Sequence, residues 1–408
     1  VGIYRQAKPP RRIVIKAPSR IIALFAFVLL CGLSAAAQEV NGLAPEITDL
    51  NAKNVSYGWE KSIPDLKEPF ISTAPQDLED GIPVGKLGVD GGDKAAILAF
   101  AQELAEGKHG NVDSMLLFFR GKLLFESYYR RGRINCPHYQ MSITKSYTAM
   151  ALGRAIQLGH LTMADLDKPV VSFLKELDQS KLAPGAASIK LSEAMNMRSG
   201  VRLDPDKAKK LMRQRDKLKG QGQIQCYLQH SAPITKESQA FKYQASDPAM
   251  TMQVLEAVVP GSAKEFIKTE VLDRMGVTNY AWQDNVSGLP KSAAGSCMRS
   301  RDMLKWGMMI MDGGKWDGEQ LIPAAFVERA TGRIQTNPQK TSYGYFWWRA
   351  DMKVGEKSYD CKSGRGAGGQ FILMLPELDL IAVFTSHQKG MGDTLAVVPQ
   401  KVLPAFIK

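Results

Sequence analysis

Apolar residues recur along this chain at two periods, and the switches between them mark its elements. In KAAILAFAQELAEG, Lys94 to Gly107, they return every three or four positions, which predicts a helix. SMLLFFRGKLLFESYYR then presents two apolar, aromatic runs about Arg120-Gly121, which reads as a β-hairpin with glycine supplying the turn. Helical residues return from Met141 to Leu158, and Gly159 stands where a left-handed cap would close the helix. Further helices are expected over Leu166–Leu182, Ser192–Met197, Ala249–Val258 and Arg301–Met311. Near the end, GGQFILML and LDLIAVFTSH flank Pro376-Glu377 as a second hairpin, with a last helix beyond Thr394. A β-rich start and end around a helical middle predict an α+β fold. One antiparallel sheet is built from both termini and flanked by helices, and a mostly helical domain is inserted at about 160–290.

Composition changes this picture mainly at the N-terminus. The chain has 408 residues, 44% apolar and 23% charged, enough to bury a sizeable core. Its first twenty residues carry six basic and no acidic side chains, followed by IIALFAFVLLCGL and the small residues Ser34-Ala35-Ala36-Ala37. This is the shape of a secretory signal peptide over residues 1–37, cleaved before Gln38. An exported chain, periplasmic or secreted, with no stable membrane span after cleavage is expected, 38–110 forming an N-terminal wrap and helix and 111–405 the main domain. Removing the signal lowers the net charge from +12 to +6. No basic run interleaved with aromatics remains, so nucleic acid is a poor partner. KAKKLMRQRDKLKG, Lys207 to Gly220, reads as a solvated helix or loop. Cys136, Cys226, Cys297 and Cys361 lack any C-x-x-C spacing and the five histidines are scattered, which argues against a zinc site. Disulfide pairing and oligomeric state stay open.

A serine hydroxyl is a weak nucleophile until a base can take its proton. Side chains three apart on a helix share a face, so S-x-x-K at a helix start places an amine beside a hydroxyl. The pattern occurs three times, at Ser142, Ser172 and Ser386. Ser172 falls mid-helix and Ser386 leaves a strand, whereas Ser142 opens the helix after the first hairpin. Ser142 is therefore the candidate nucleophile and Lys145 its base, provided burial lowers the lysine's pKa.

With QMSITKSYTAMALGRAIQLGHL stand LLFFRGKLLFESYYRRG, DKPVVSFLKEL, SEAMNMRSGV, FKYQASDPAMTMQVLEAV, SRDMLKWGMMIMDGGKWDGEQLI, YGYFWW and GAGGQFILMLPELDLIAVFTS. In this order, over roughly residues 110 to 405, the chain resembles the serine β-lactamase-like superfamily. The branch holds class C β-lactamases, D-Ala-D-Ala carboxypeptidases, carboxylesterases and 6-aminohexanoate-dimer hydrolases. The resemblance implies a β-lactamase/transpeptidase-like fold, acyl-enzyme hydrolysis and no cofactor or metal. It assigns Tyr243 to proton relay, and a phenol held beside an ammonium is expected to have a lowered pKa. The backbone N–H groups of Ser142 and Gln370 would form the oxyanion hole. Two departures stand out. Ala245 replaces the family's asparagine, where Asp247 is a candidate polar substitute, and Ala367 replaces its cation, where Arg365 is a partial one. Gly368 and Gly369, with Ala367, would let backbone approach the substrate closely. Trp347, with its neighbour Trp348, is a candidate wall of the substrate pocket, core packing being the alternative; Met303, Met308, Met309 and Met311 read as core. The implied substrate is a small ester or linear amide. A β-lactamase or carboxypeptidase with the same chemistry, or a noncatalytic binding or sensor protein on the same fold, are the alternatives.

Overall fold

Every residue of Val112–Phe119 is buried, because this strand is covered on both faces and so reads as one apolar run. The computed structural model describes residues 42–336 and 341–407; the segment read as an export signal lies outside them. The strand pairs through the turn Arg120-Gly121, both residues at positive φ, with Lys122–Tyr128. On its other side it pairs with Leu380–Ser386 from the far end of the chain. That junction joins the third and fourth strands of a nine-stranded sheet. From Leu380–Ser386 the sheet runs outwards through Gln370–Leu375, Lys357–Gly366 and Trp348–Val354 to the short strands Ser342–Tyr343 and Gln335–Thr336. Phe70–Ser72 closes the opposite edge, beyond Lys122–Tyr128, and all the pairings are antiparallel.

Alternation along the strands divides the interior. Met115, Leu117, Phe371, Leu373 and Phe384 face a core closed by Lys94–Ala105 and Thr394–Lys401, with Phe100, Leu104, Val398 and Phe406. Leu116, Phe118, Ile372, Ile381 and Val383 face the larger core, which holds Ile143, Met150 and Leu152 of the helix Ile143–Gln157. Both faces thus exclude water, and burying each such side chain contributes about 1.5–3 kcal/mol. Met303 and Met309 are buried in the larger core, and Met308 and Met311 pack at its margin.

Two expectations need correction. Leu166–Leu182 is no helix but the separate 3₁₀ turns Met163–Asp167, Val170–Ser172 and Gln179–Lys181. Pro169 lacks an N–H and drives Lys168 to an extended ψ of 151°, so no helical ladder crosses it. The hairpin of Trp348–Val354 with Lys357–Gly366 was not foreseen, since Arg349, Asp351 and Lys353 make its outer strand read as solvated polar chain. The basic stretch after Leu203 forms the short helix Pro205–Leu211 and a 3₁₀ turn, mostly solvent-exposed. All four cysteines among the described residues are free. No described helix is long and apolar enough to cross a membrane.

Candidate active site

The polypeptide is bent sharply just before Ile143–Gln157. Met141 has φ of +48°, a sparsely populated conformation for a side chain of its size. The bend is held because Gln140 is fully buried: its amide donates to His138 O at 2.9 Å and accepts from the Tyr147 hydroxyl at 3.0 Å. Ser142 follows as the helix cap, yet its hydroxyl makes no capping bond. A capping serine ordinarily spends its oxygen on the first turn; this one accepts from Lys145 Nζ at 3.0 Å instead. The Ser142 N–H has no acceptor among the described residues.

Lys145 is 4% exposed. Its amine also donates to Ala293 O at 2.6 Å and sits 4.8 Å from the centre of the Tyr243 ring. No carboxylate compensates the buried charge, and desolvation brings the pKa down to about 8. A substantial neutral fraction near pH 7 to 8 is what a general base requires. Ala293 carries no sequence signal, because its part is played by a backbone carbonyl.

Tyr243 comes from the loop before Ser246–Val258, tied down by the Lys242 N–H on Met197 O at 2.9 Å. Its ring stacks on Trp348, with centroids 5.7 Å apart, and meets Tyr343 edge-on at 6.1 Å. The lowered phenol pKa expected from the nearby amine is overturned. Although 40% of the Tyr243 surface is exposed, desolvation of its phenol pushes it up to about 12, against the opposing effect of the Ser142 and Tyr343 hydroxyls. The amine over the ring face has itself lost its charge before the pH at which the phenol titrates, so it offers nothing to oppose desolvation and the phenol keeps its proton at neutral pH.

Asp247 is likewise corrected. It is fully buried and accepts from Ser199 Oγ and Ser246 Oγ, each at 2.8 Å, and from Gln244 Nε2 at 2.6 Å. Desolvation raises its carboxyl to about 6. It braces the Tyr243 loop and reaches no substrate space. Trp347, just before the strand Trp348–Val354, is fully buried beside Ile143 and Gly364, inside the core, whereas Trp348 is half-buried and stacks on Tyr243. Arg365 lies over Trp348 at 5.4 Å and donates to Ser363 Oγ at 2.9 Å.

The turn Ala367–Gly369 follows the strand Lys357–Gly366. A Cβ on Gly366 would stand 2.4 Å from Gln140 O, so this strand end is pressed against the backbone leading to Ser142. Gly368 and Gly369 have φ near +90°, which the turn demands. Gly368 donates to Gly390 O at 2.5 Å and accepts from Gln388 N at 2.9 Å, and a Cβ on Gly369 would strike Ser386 at 2.8 Å. Both glycines are thus tied to neighbouring segments, and Gly368 also lines a cleft with Met141 and Gln370. Ala367 is exposed. The Gln370 side chain is turned to the backbone of Ser386. Among the described residues no group of three His, Cys, Asp or Glu gathers as metal ligands.

A family model, Beta-lactamase, matches residues 120–403. No curated protein matches. Among solved structures, a proposed 6-aminohexanoate-dimer hydrolase from Bacillus anthracis aligns at a TM-score of 0.63 and 17% identity, covering 88% of this chain and 97% of that one. A D-stereospecific amidohydrolase from Streptomyces sp. gives 0.56 and 16%, over 76% and 99%. A class C β-lactamase gives 0.59 and 16%, over 77% and 96%. At these identities the likeness speaks for the fold.

Proposed function

Because the chain belongs to the β-lactamase family, whose members are serine hydrolases, we propose that it hydrolyses small esters or linear amides through an acyl-enzyme on Ser142. The observation that carries this reading is the 3.0 Å contact between Ser142 Oγ and a buried Lys145 amine of depressed pKa. Ser142 Oγ attacks the carbonyl carbon while its proton passes to Lys145 Nζ. Charge building on the carbonyl oxygen is met by the N–H groups of Ser142 and Gln370. Tyr243 protonates the leaving alcohol or amine and recovers a proton from Lys145 as the C–O or C–N bond breaks. Water then attacks the acyl-serine, Lys145 takes the water's proton, and Ser142 Oγ leaves protonated.

The division of labour follows from the two pKa values. A lysine near 8 can accept a proton and a phenol near 12 can hold one to donate. Ala245 and Ala367 stand where the family carries an asparagine and a cation, which favours acyclic esters and amides over β-lactams. The protein should react with a fluorophosphonate, with the label found on Ser142 by mass spectrometry and lost in Lys145→Ala. It should also cleave a short-chain aryl ester faster than a cephalosporin. A folded protein that takes no label would overturn the reading, and faster cephalosporin turnover would reverse the substrate preference.

A further inference from the structure

Beside the oxyanion-side backbone lies a cleft of about 490 Å³ whose walls include Met141, Ala367 and Gln370 but not Ser142, Lys145 or Tyr243. Three cations from three distant parts of the chain line it: Lys61 from the N-terminal wrap, Arg131 from the end of the first hairpin, and Lys389 from the loop after Leu380–Ser386. None of the three makes an ion pair among the described residues, and the contact of Lys61 with the Tyr57 ring, 4.6 Å away in the same lining, leaves its charge unneutralised. The Arg131 Nε is buried without an acceptor, as is the Ser386 hydroxyl in the same wall. The single carboxyl lining the cleft belongs to Glu60, which accepts the Tyr139 N–H and is raised by burial to about 8, so it adds little negative charge at neutral pH. His387, also in the lining, is held by Asp113 at 2.9 Å. Unpaired like charges gathered in a concavity repel one another and are stabilised by an anion entering it.

We propose that this cleft is an acyl-side subsite for a carboxylate: the acyl chain of the substrate ends in an anionic group held between Lys61, Arg131 and Lys389 while its carbonyl faces Ser142. The inference rests on the acyl-enzyme reading and adds the substrate's charge. The side follows from the lining. The leaving group must point to its proton donor, Tyr243, which is absent from this cleft, while Met141, the residue before Ser142, and Gln370 set the cleft beside the attacked carbonyl, so the acyl portion is the part that can extend into it. The cation missing at Ala367, on the rim, is thus replaced from three other elements, one of them outside the segment matched by the family model.

The test compares 4-nitrophenyl hydrogen adipate with its neutral methyl ester, spontaneous hydrolysis subtracted. The anionic ester should have kcat/KM about tenfold higher or more, as charge-assisted bonds imply. The difference should lie in KM and shrink with added salt. In the double variant Lys61→Gln, Lys389→Gln, both exposed side chains, the ratio of the two esters should fall towards one. Equal rates on the two esters, or a preference that survives the double variant, would overturn the subsite. Binding of monomethyl adipate to Ser142→Ala, weakened about tenfold by the same pair, reads the subsite without turnover; absence of binding there rejects it even if Ser142 is the nucleophile. Binding without any turnover would retain the subsite and count against the hydrolase reading.

Discussion

At the scale of single residues, the site is organised by desolvation. Lys145 is buried and Tyr243, 40% exposed, lays its ring over the amine; desolvation penalises the charged form of each, so the amine moves down while the phenol moves up. With Lys145 as base, kcat/KM for a neutral ester should rise roughly tenfold per pH unit below about 8 and level off above it. A pH-rate profile checks this, and an inflection near 6 would point to a different base. The same group couples stability to pH. Its pKa falls from 10.5 unfolded to about 8 folded, so the folded chain holds fewer protons between those values and this contribution grows as pH rises through them. The pairing of Ser142 with Lys145 was legible because three residues on a helix start fix a distance. The role of Asp247 was not, since a carboxylate four residues from Tyr243 can point to substrate or to Ser199, and only its burial decides.

At the scale of elements, the helix Ile143–Gln157 is the one the site depends on, and its packing is tight where no side chain can be added. A Cβ on Gly153 would stand 2.6 Å from Ile322 and 2.7 Å from Phe326. Gly153→Ala should therefore destabilise the fold by about 1–3 kcal/mol despite its better helix propensity, measurable by urea unfolding; a stabilised variant would show that the neighbouring helix Ala324–Ala330 yields freely. The hairpins about Gly121 and Pro376 and the helices after Met141 and Arg301 were readable because period and turn chemistry agree. Leu166–Leu182 misled because its apolar spacing fits a helix while Pro169 forbids one. The strand Trp348–Val354 was missed because it is solvated on one side, so its sequence carries charge where a buried strand carries valine or leucine.

At the scale of the whole molecule, the segment before Lys94 is held to the sheet and the helix Ser300–Met311 by a buried ionic network. Arg301 is 2% exposed and donates to both oxygens of Glu126, at 2.9 and 2.7 Å, to the Gln76 carbonyl at 2.8 Å, and lies 3.3 Å from Asp80. Glu126 also accepts from the Tyr128 hydroxyl at 2.7 Å. Arg301→Ala leaves that carboxylate buried without its partner and should cost about 3–5 kcal/mol, read as a lowered unfolding midpoint and faster proteolysis within residues 74–82. An unchanged midpoint would mean that water reaches Glu126. The sequence by itself determined the class of fold, the two hairpins, the helix that begins at Ile143 and the spacing that sets Lys145 beside Ser142, because these depend on periodicity and on spacing within one element. Only the tertiary structure decided that Trp348 and not Trp347 faces Tyr243, that Ala293 supplies an acceptor to Lys145, and that Lys61, Arg131 and Lys389 converge. Those facts depend on which distant segments meet and on what burial does to charge there, and neither quantity is carried by local pattern.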